Sequence, residues 1–127
     1  MTFPDEITGY LREDGRRGIR NHVVVMAAAD NVNPLLAHVA TRCAGVTLLP
    51  ASYGRGQLGE DLEITLRSMA GLAPHPNVSG CLVVAFERAS AERIAERAGA
   101  RSGSIEVLSF LEAGGLVPCV DRAAEII

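Results

Sequence analysis

Ionisable and amide side chains follow directly after each of four apolar runs in this chain: Asp30-Asn31, Tyr53-Gly54-Arg55, Glu87-Arg88 and Glu112. The second group opens a glycine-rich segment, Gly54-Arg55-Gly56-Gln57-Leu58-Gly59, which formally satisfies the dinucleotide fingerprint between a strand and a helix. As a nucleotide signature it is weak, because it belongs to the second strand–helix unit and Glu87 lies too far on for the usual ribose contact. Its physics still suits an anion. Glycines let backbone N–H groups approach a ligand, a helix N-terminus favours negative charge, and Arg55 can grip a carboxylate or sulfonate with two parallel hydrogen bonds. Glu60 and Asp61 in the first helical turn partly oppose an anion there and equally complement the helix dipole. Loops are polar in most proteins, so each position alone says little; four together point to a combined site.

The elements that must position these groups alternate regularly. His22 to Ala29 is a continuous run of β-branched and small apolar residues, the pattern of a strand buried on both faces. Asn33-Pro34 predicts an N-cap and first helical residue, with Val32, Leu35, Leu36, Val39, Ala40 and Cys43 at helical spacing. Val46 to Ser52 predicts a second strand, and Leu58, Leu62, Leu66, Met69 and Leu72 give the next helix one apolar stripe. Val78 to Phe86 predicts a third strand, Ser90 the cap of a helix through about Ala100, and Ser104 to Leu111 a fourth strand. Pro118 opens a last helix with Val117, Val120, Ala124 and Ile127 on one side, a face expected to associate into at least a dimer. Four such units predict an α/β fold: a three-layer sandwich around a mostly parallel, Rossmann- or flavodoxin-like sheet. Residues 1–21, polar with an Asp14-Gly15 turn, predict an N-terminal arm or small hairpin, and 22–127 one α/β domain. Sheets of this kind bind ligands at the carboxyl ends of their strands.

Composition narrows the chemistry. The 127 residues support one domain, 48% apolar and 21% charged. The net charge is −3 with no basic run beyond Arg16-Arg17, so nucleic acid is not an expected partner. The longest apolar run, Val23 to Ala29, is far short of the ~20 residues of a membrane span. All 12 basic residues are arginine, which excludes a Schiff-base or Walker lysine. Cys43, Cys81 and Cys119 form no C-x-x-C and read as buried small hydrophobes in a reducing cytoplasm. His22 and His38 read as structural.

Two segments resemble a known family. Gly9-Tyr10-Leu11-Arg12-Glu13-Asp14-Gly15-Arg16-Arg17-Gly18-Ile19-Arg20-Asn21, followed by an apolar strand, resembles the signature that opens the catalytic region of the altronate and galactarate dehydratases. Gly71-Leu72-Ala73-Pro74-His75-Pro76-Asn77-Val78 is a second match at the family's spacing. The dehydratase branch carries cysteine and histidine in the loops after the first and second strands and Gly-Cys-Glu after the third. Here those places read Asp30-Asn31, Tyr53-Gly54-Arg55-Gly56-Gln57 and Phe86-Glu87, a departure more similar to the beta subunit branch of (2R)-sulfolactate sulfo-lyase.

The resemblance implies β-elimination from a 2-hydroxy carboxylate such as sulfolactate or an aldarate, breaking a C–O or C–S bond, with a divalent metal, usually iron, as cofactor. A base must remove the weakly acidic proton beside the carboxylate, and the enediolate needs cationic stabilisation. The candidates are Tyr53 or His75 for proton transfer, and Arg55, with Gly54, Gly56, Gln57 and Asn31, for the anionic substrate. Asp30 and Glu87 are the candidates for orienting groups or hard oxygen ligands to a metal. Tyr10 and Arg12 are expected to dock the arm, and Arg20 and Asn21 to tie it to the sheet. The family's catalytic chains continue well beyond this domain, so the resemblance implies a piece of a longer lyase. Its expected partners are the remainder of that chain or a small β-clip subunit, and it is expected to be inactive alone. The alternative is a non-catalytic anion-binding or subunit-interaction module that keeps the fold.

Overall fold

The computed structural model describes residues 1–2 and 4–127. A hairpin of β1 (Tyr10–Leu11) and β2 (Arg17–Gly18) comes first, antiparallel and turned at Asp14-Gly15. There follow β3 (His22–Ala27), α1 (Asn33–Arg42), β4 (Thr47–Leu49), α2 (Gly59–Leu72), β5 (Val78–Ala85) and α3 (Arg88–Ala98). The chain closes with β6 (Ile105–Ser109), the short α4 (Phe110–Ala113) and α5 (Leu116–Ile126). The main sheet has the order β4-β3-β5-β6 and every pair in it is parallel. This is the flavodoxin-type order, in a three-layer α/β sandwich.

Both faces of the sheet are covered, which explains why β3 reads as an unbroken apolar run. Val25, Ala27, Leu82 and Val84 point to one side, where Leu35, Leu36 and Val39 of α1 and Cys119 and Ala123 of α5 close over them. Val24, Met26, Val83 and Ala85 point to the other, against Leu66 and Ala70 of α2 and Ala91 and Ile94 of α3. Glu63 of α2 and Arg97 of α3 join those two helices through a double hydrogen bond.

The boundaries depart from the sequence expectation where side chains are taken by other partners. Asn33 does not cap α1: the N-cap is Val32, after a 3-10 turn at Asp30–Val32, because the Asn33 amide is bound to Ala51. Ser90 likewise lies inside α3, which starts two residues earlier at Arg88. The second strand shrinks to Thr47–Leu49 before Pro50. The fourth stops at Ser109, whose hydroxyl accepts the Glu112 N–H at 3.3 Å and starts α4. On α5 the apolar stripe is shifted from the expected one. Cys119 and Ala123 are buried, Val120 and Ile126 pack beside them, and Val117 stays 69% exposed. Leu58, the expected start of the α2 stripe, is 80% exposed as its N-cap.

The two signature segments are bound to each other at the amino edge of the sheet. Arg12 Nε donates to Pro76 O at 2.7 Å while its Nη1 and Nη2 hold Asn21 Oδ1 and Arg20 O. Arg16 donates to Pro74 O at 2.6 Å, and Asn77 Oδ1 accepts the N–H groups of Ile19 and Arg20. The Arg12 guanidinium lies 5.6 Å from the Tyr10 ring centre, a cation–π contact. Asp14 is hydrogen-bonded by the Arg16 backbone N–H and guanidinium, which lowers its pKa. Gly18 fits because a Cβ there would lie 2.0 Å from Pro76 O.

Gly18→Ala is expected to pry the hairpin off this loop, lower stability by about 1–3 kcal/mol, and make residues 9–21 a site of proteolytic nicking. A melting curve and limited proteolysis check this, and an unchanged pattern would contradict the clasp. Burial pushes the Cys81 thiol up from 9.0 to about 12, and the Cys119 thiol up as well. Below pH 9 the neutral native thiol adds its full stabilisation. Between pH 9 and 12 only the unfolded thiol ionises, so that contribution is lost as pH rises. Cys81→Ala should flatten this part of the alkaline decline, and a thiol reagent at pH 8 should label Cys43 before Cys81 or Cys119.

Candidate functional site

At the carboxyl edge the loops after β3 and β4 are tied together. Asn33 Nδ2 donates to Ala51 O at 2.7 Å, the Ala51 N–H donates back to Asn33 Oδ1 at 2.9 Å, and the Asp30 N–H donates to Tyr53 O at 3.1 Å. Gly54, at φ +142°, then passes so close to the first loop that a Cβ on it would lie 2.6 Å from Ala29 Cβ. Its glycine therefore serves loop-to-loop contact rather than ligand approach.

These constraints deliver Arg55 to Asp30, with Nε 3.6 Å from Oδ1. The pair is too long for a hydrogen bond, and the side chains are 70% and 39% exposed, so water screens it to about 0–1 kcal/mol. The Arg55 guanidinium makes no hydrogen bond among the described residues, which leaves its two terminal nitrogens open to an anion.

A cleft of about 650 Å³ lies beside Arg55. It opens between the ends of β3 and β5, where α1 departs to one face of the sheet and α3 to the other. That divergence is the topological switch point at which open α/β sheets bind ligands. Asn31, Gly54, Arg55, Gln57 and Glu87 line it, with Ser90 and Arg93 of α3 opposite. Gly56 does not line it. Asn31 Oδ1 and Gln57 Oε1 are buried without a hydrogen-bond partner, as is Asp30 Oδ1. The Gln57 amide nitrogen donates to Asp61 Oδ2 at 3.1 Å, so its oxygen is the end left free. Buried acceptors without partners are costly, and a hydroxyl group is a donor that would satisfy them.

The remaining strand-end groups are arranged differently. Arg88 Nε donates to Glu112 Oε2 at 2.7 Å, and this contact raises the Arg88 pKa. The two line a separate cleft with Asp121 and Arg122. Tyr53 is 70% exposed and is not among the residues that line the cleft; Leu58, Phe86, Leu111, Leu116 and Val117 are also exposed at this carboxyl edge. Phe86 stacks on Phe110 with ring centres 5.5 Å apart.

His75 is not brought to this site. It precedes β5, and in a parallel sheet that places it at the opposite, amino edge, in a groove with Arg12, Asp14 and Arg16. Its Nδ1 accepts the Asn77 N–H at 3.1 Å, which puts the ring proton of the neutral imidazole on Nε2. His22 shares a hydrogen bond with Thr47 Oγ1 at 3.2 Å.

The donors at the cleft do not fit a resident iron. Among the described residues no three or more His, Cys, Asp or Glu side chains are grouped to hold a metal ion. No thiol or imidazole lines the cleft, and Asp30 faces a guanidinium whose charge repels a cation.

Sequence reasoning overlooked Arg93. Its signal was the helical spacing: Ser90 and Arg93 are three apart at the start of α3, on one face that looks toward the strand end.

Residues 9–127 match the family model described as D-galactarate dehydratase/Altronate hydrolase, second domain. Among curated proteins, the chain is similar to the (2R)-sulfolactate sulfo-lyase subunit beta of Chromohalobacter salexigens. That match is 42% identical over 79 residues, 62% of this chain and 20% of the relative. It is also similar to the altronate dehydratase of Bacillus subtilis, 26% identical over 114 residues, 82% of this chain and 23% of the relative. The chain thus spans about a fifth of the length of these relatives. No solved structure matches it.

Proposed function

From the premise that the chain belongs to the D-galactarate dehydratase/altronate hydrolase family, as the second domain of that lyase family, we propose that its carboxyl-edge cleft holds a small anionic 2-hydroxy acid for β-elimination. The observation that carries this reading is the conjunction, at the sheet's switch point, of the Arg55 guanidinium, held only by a long, exposed contact to Asp30, with buried, partnerless acceptor oxygens on Asn31 and Gln57. A carboxylate or sulfonate suits the first and an alcohol O–H suits the second.

In this reading Arg55 orients the acid, and Asn31 and Gln57 select for hydroxyl groups. The proton beside the carboxylate passes to a base and the pair of electrons left behind expels hydroxide or sulfite from the neighbouring carbon. A departing sulfite leaves as an anion, so a guanidinium stabilises it without donating a proton. Tyr53, held next to Asp30 by the backbone, is the proton-transfer candidate at this edge; His75 could serve only if another part of the protein brought a substrate to the amino edge. The divalent metal that the family resemblance implies finds no grouped ligand set among the described residues, so no step of this reading runs through one. The exposed apolar rim from Tyr53 to Val117 supports a partner surface here, either the rest of the longer lyase or a small companion subunit. Three unpaired thiols suit a reducing compartment such as the cytoplasm.

The alternative, an anion-binding or interaction module without chemistry, is favoured by the lack of a grouped metal-ligand set among the described residues. Both readings predict that the 127-residue chain binds 3-sulfolactate and releases no sulfite on its own.

Arg55→Met is expected to weaken 3-sulfolactate binding by about 1.5–3 kcal/mol, the usual contribution of a hydrogen bond to a charged group. The melting temperature should hardly move, because the Asp30 contact is long and screened. Calorimetric titration and a thermal melt on both proteins check this. Unchanged affinity with a lowered melting point would make Arg55 a structural residue and overturn the proposal.

A further inference from the structure

Resting on that reading of the cleft, we infer that Arg93 is a second anion post, set across from Arg55, which makes the site selective for hydroxy acids with a negative charge at both ends. Both guanidinium groups line the one cleft, Arg55 from the loop after β4 and Arg93 from the second turn of α3. Neither is neutralised by a close carboxylate. Arg93 has no ion-pair partner among the described residues, although arginines at 88, 97 and 122 all have one. Arg55 has only the long, screened contact to Asp30.

Two guanidinium groups without a close acidic partner on one concave surface raise the local positive potential. A ligand with one anionic group could satisfy one of them. A short dianion satisfies both, and the partnerless oxygens of Asn31 and Gln57 in the same cleft then accept hydrogen bonds from its hydroxyl groups. The cleft, at about 650 Å³, has ample room for a three- to six-carbon chain of this kind. Ser90, one turn before Arg93 on the same face, can donate its hydroxyl to the second anionic group.

The test compares 3-sulfolactate with lactate, which keeps the 2-hydroxy carboxylate and lacks the sulfonate. The intact 127-residue chain should bind 3-sulfolactate at least about tenfold more tightly than lactate, the factor expected for one added charged hydrogen bond. Arg93→Gln should reduce that preference to about twofold and leave the lactate Kd in place; Arg93→Lys, which keeps the charge, should restore most of it. Arg55→Met should weaken both ligands. A preference for 3-sulfolactate that survives Arg93→Gln, or an equal loss for both ligands, would overturn the assignment of Arg93 while leaving the anion site standing. If neither ligand binds the parent chain, or Arg55→Met changes neither affinity, the underlying reading of the cleft falls and this inference falls with it. Arg93 is exposed on a helix, so folding is not at stake in these substitutions.

Discussion

Covering both faces of a parallel sheet confines its chemistry to the strand ends. Here α1 and α5 close one face and α2 and α3 the other, so the buried side chains of β3 and β5 pack against helices. The two edges are then unequal. At the amino edge the hairpin and the Pro74–Asn77 loop hold each other through arginine and asparagine hydrogen bonds. At the carboxyl edge the loops diverge, a cleft opens, and polar atoms are left without partners. One end is clasped by these hydrogen bonds, and the proposed binding lies at the open one.

In this division the first signature segment has the docking role expected of it from the sequence. Arg12 and Arg16 direct their guanidinium groups to backbone carbonyls, and Gly18 is a site of close backbone approach to Pro76. The glycine-rich loop after β4 has a mixed role. Gly54 lets the loop pass Ala29, while Arg55 and Gln57 beyond it line the cleft, the first with only a long contact to Asp30 and the second with a buried oxygen that lacks a partner.

Much of the architecture was legible because hydrophobic period is a strong signal: the run from Val23 to Ala28 and the stripe Leu62, Leu66 and Met69 could only be a covered strand and an amphipathic helix. Boundaries were less legible, since Asn33 and Ser90 have the chemistry of caps and only tertiary contacts decide otherwise. The strand-end positions Asn31, Arg55 and Glu87 followed from topology, and Gln57 from the glycine-rich segment after the second strand. The same topology, applied to strand polarity, already places His75 before β5 and so at the far edge; residue type drew attention where direction should have. Arg93 was hidden for the opposite reason, because a helix-borne arginine looks like ordinary surface until the helix is set beside the switch point.

The central claim of the proposal is that an anionic hydroxy acid binds at the carboxyl edge of the sheet. Backbone amide shifts of the isotopically labelled 127-residue chain, followed by NMR while 3-sulfolactate is added, test it most directly. The account predicts saturable shifts at Asn31, at Gly54 through Gln57 and at Glu87 through Arg93, with the amides of Arg12, Arg16 and His75 unmoved. Shifts concentrated around His75 and the hairpin, with the switch-point residues silent, would contradict it.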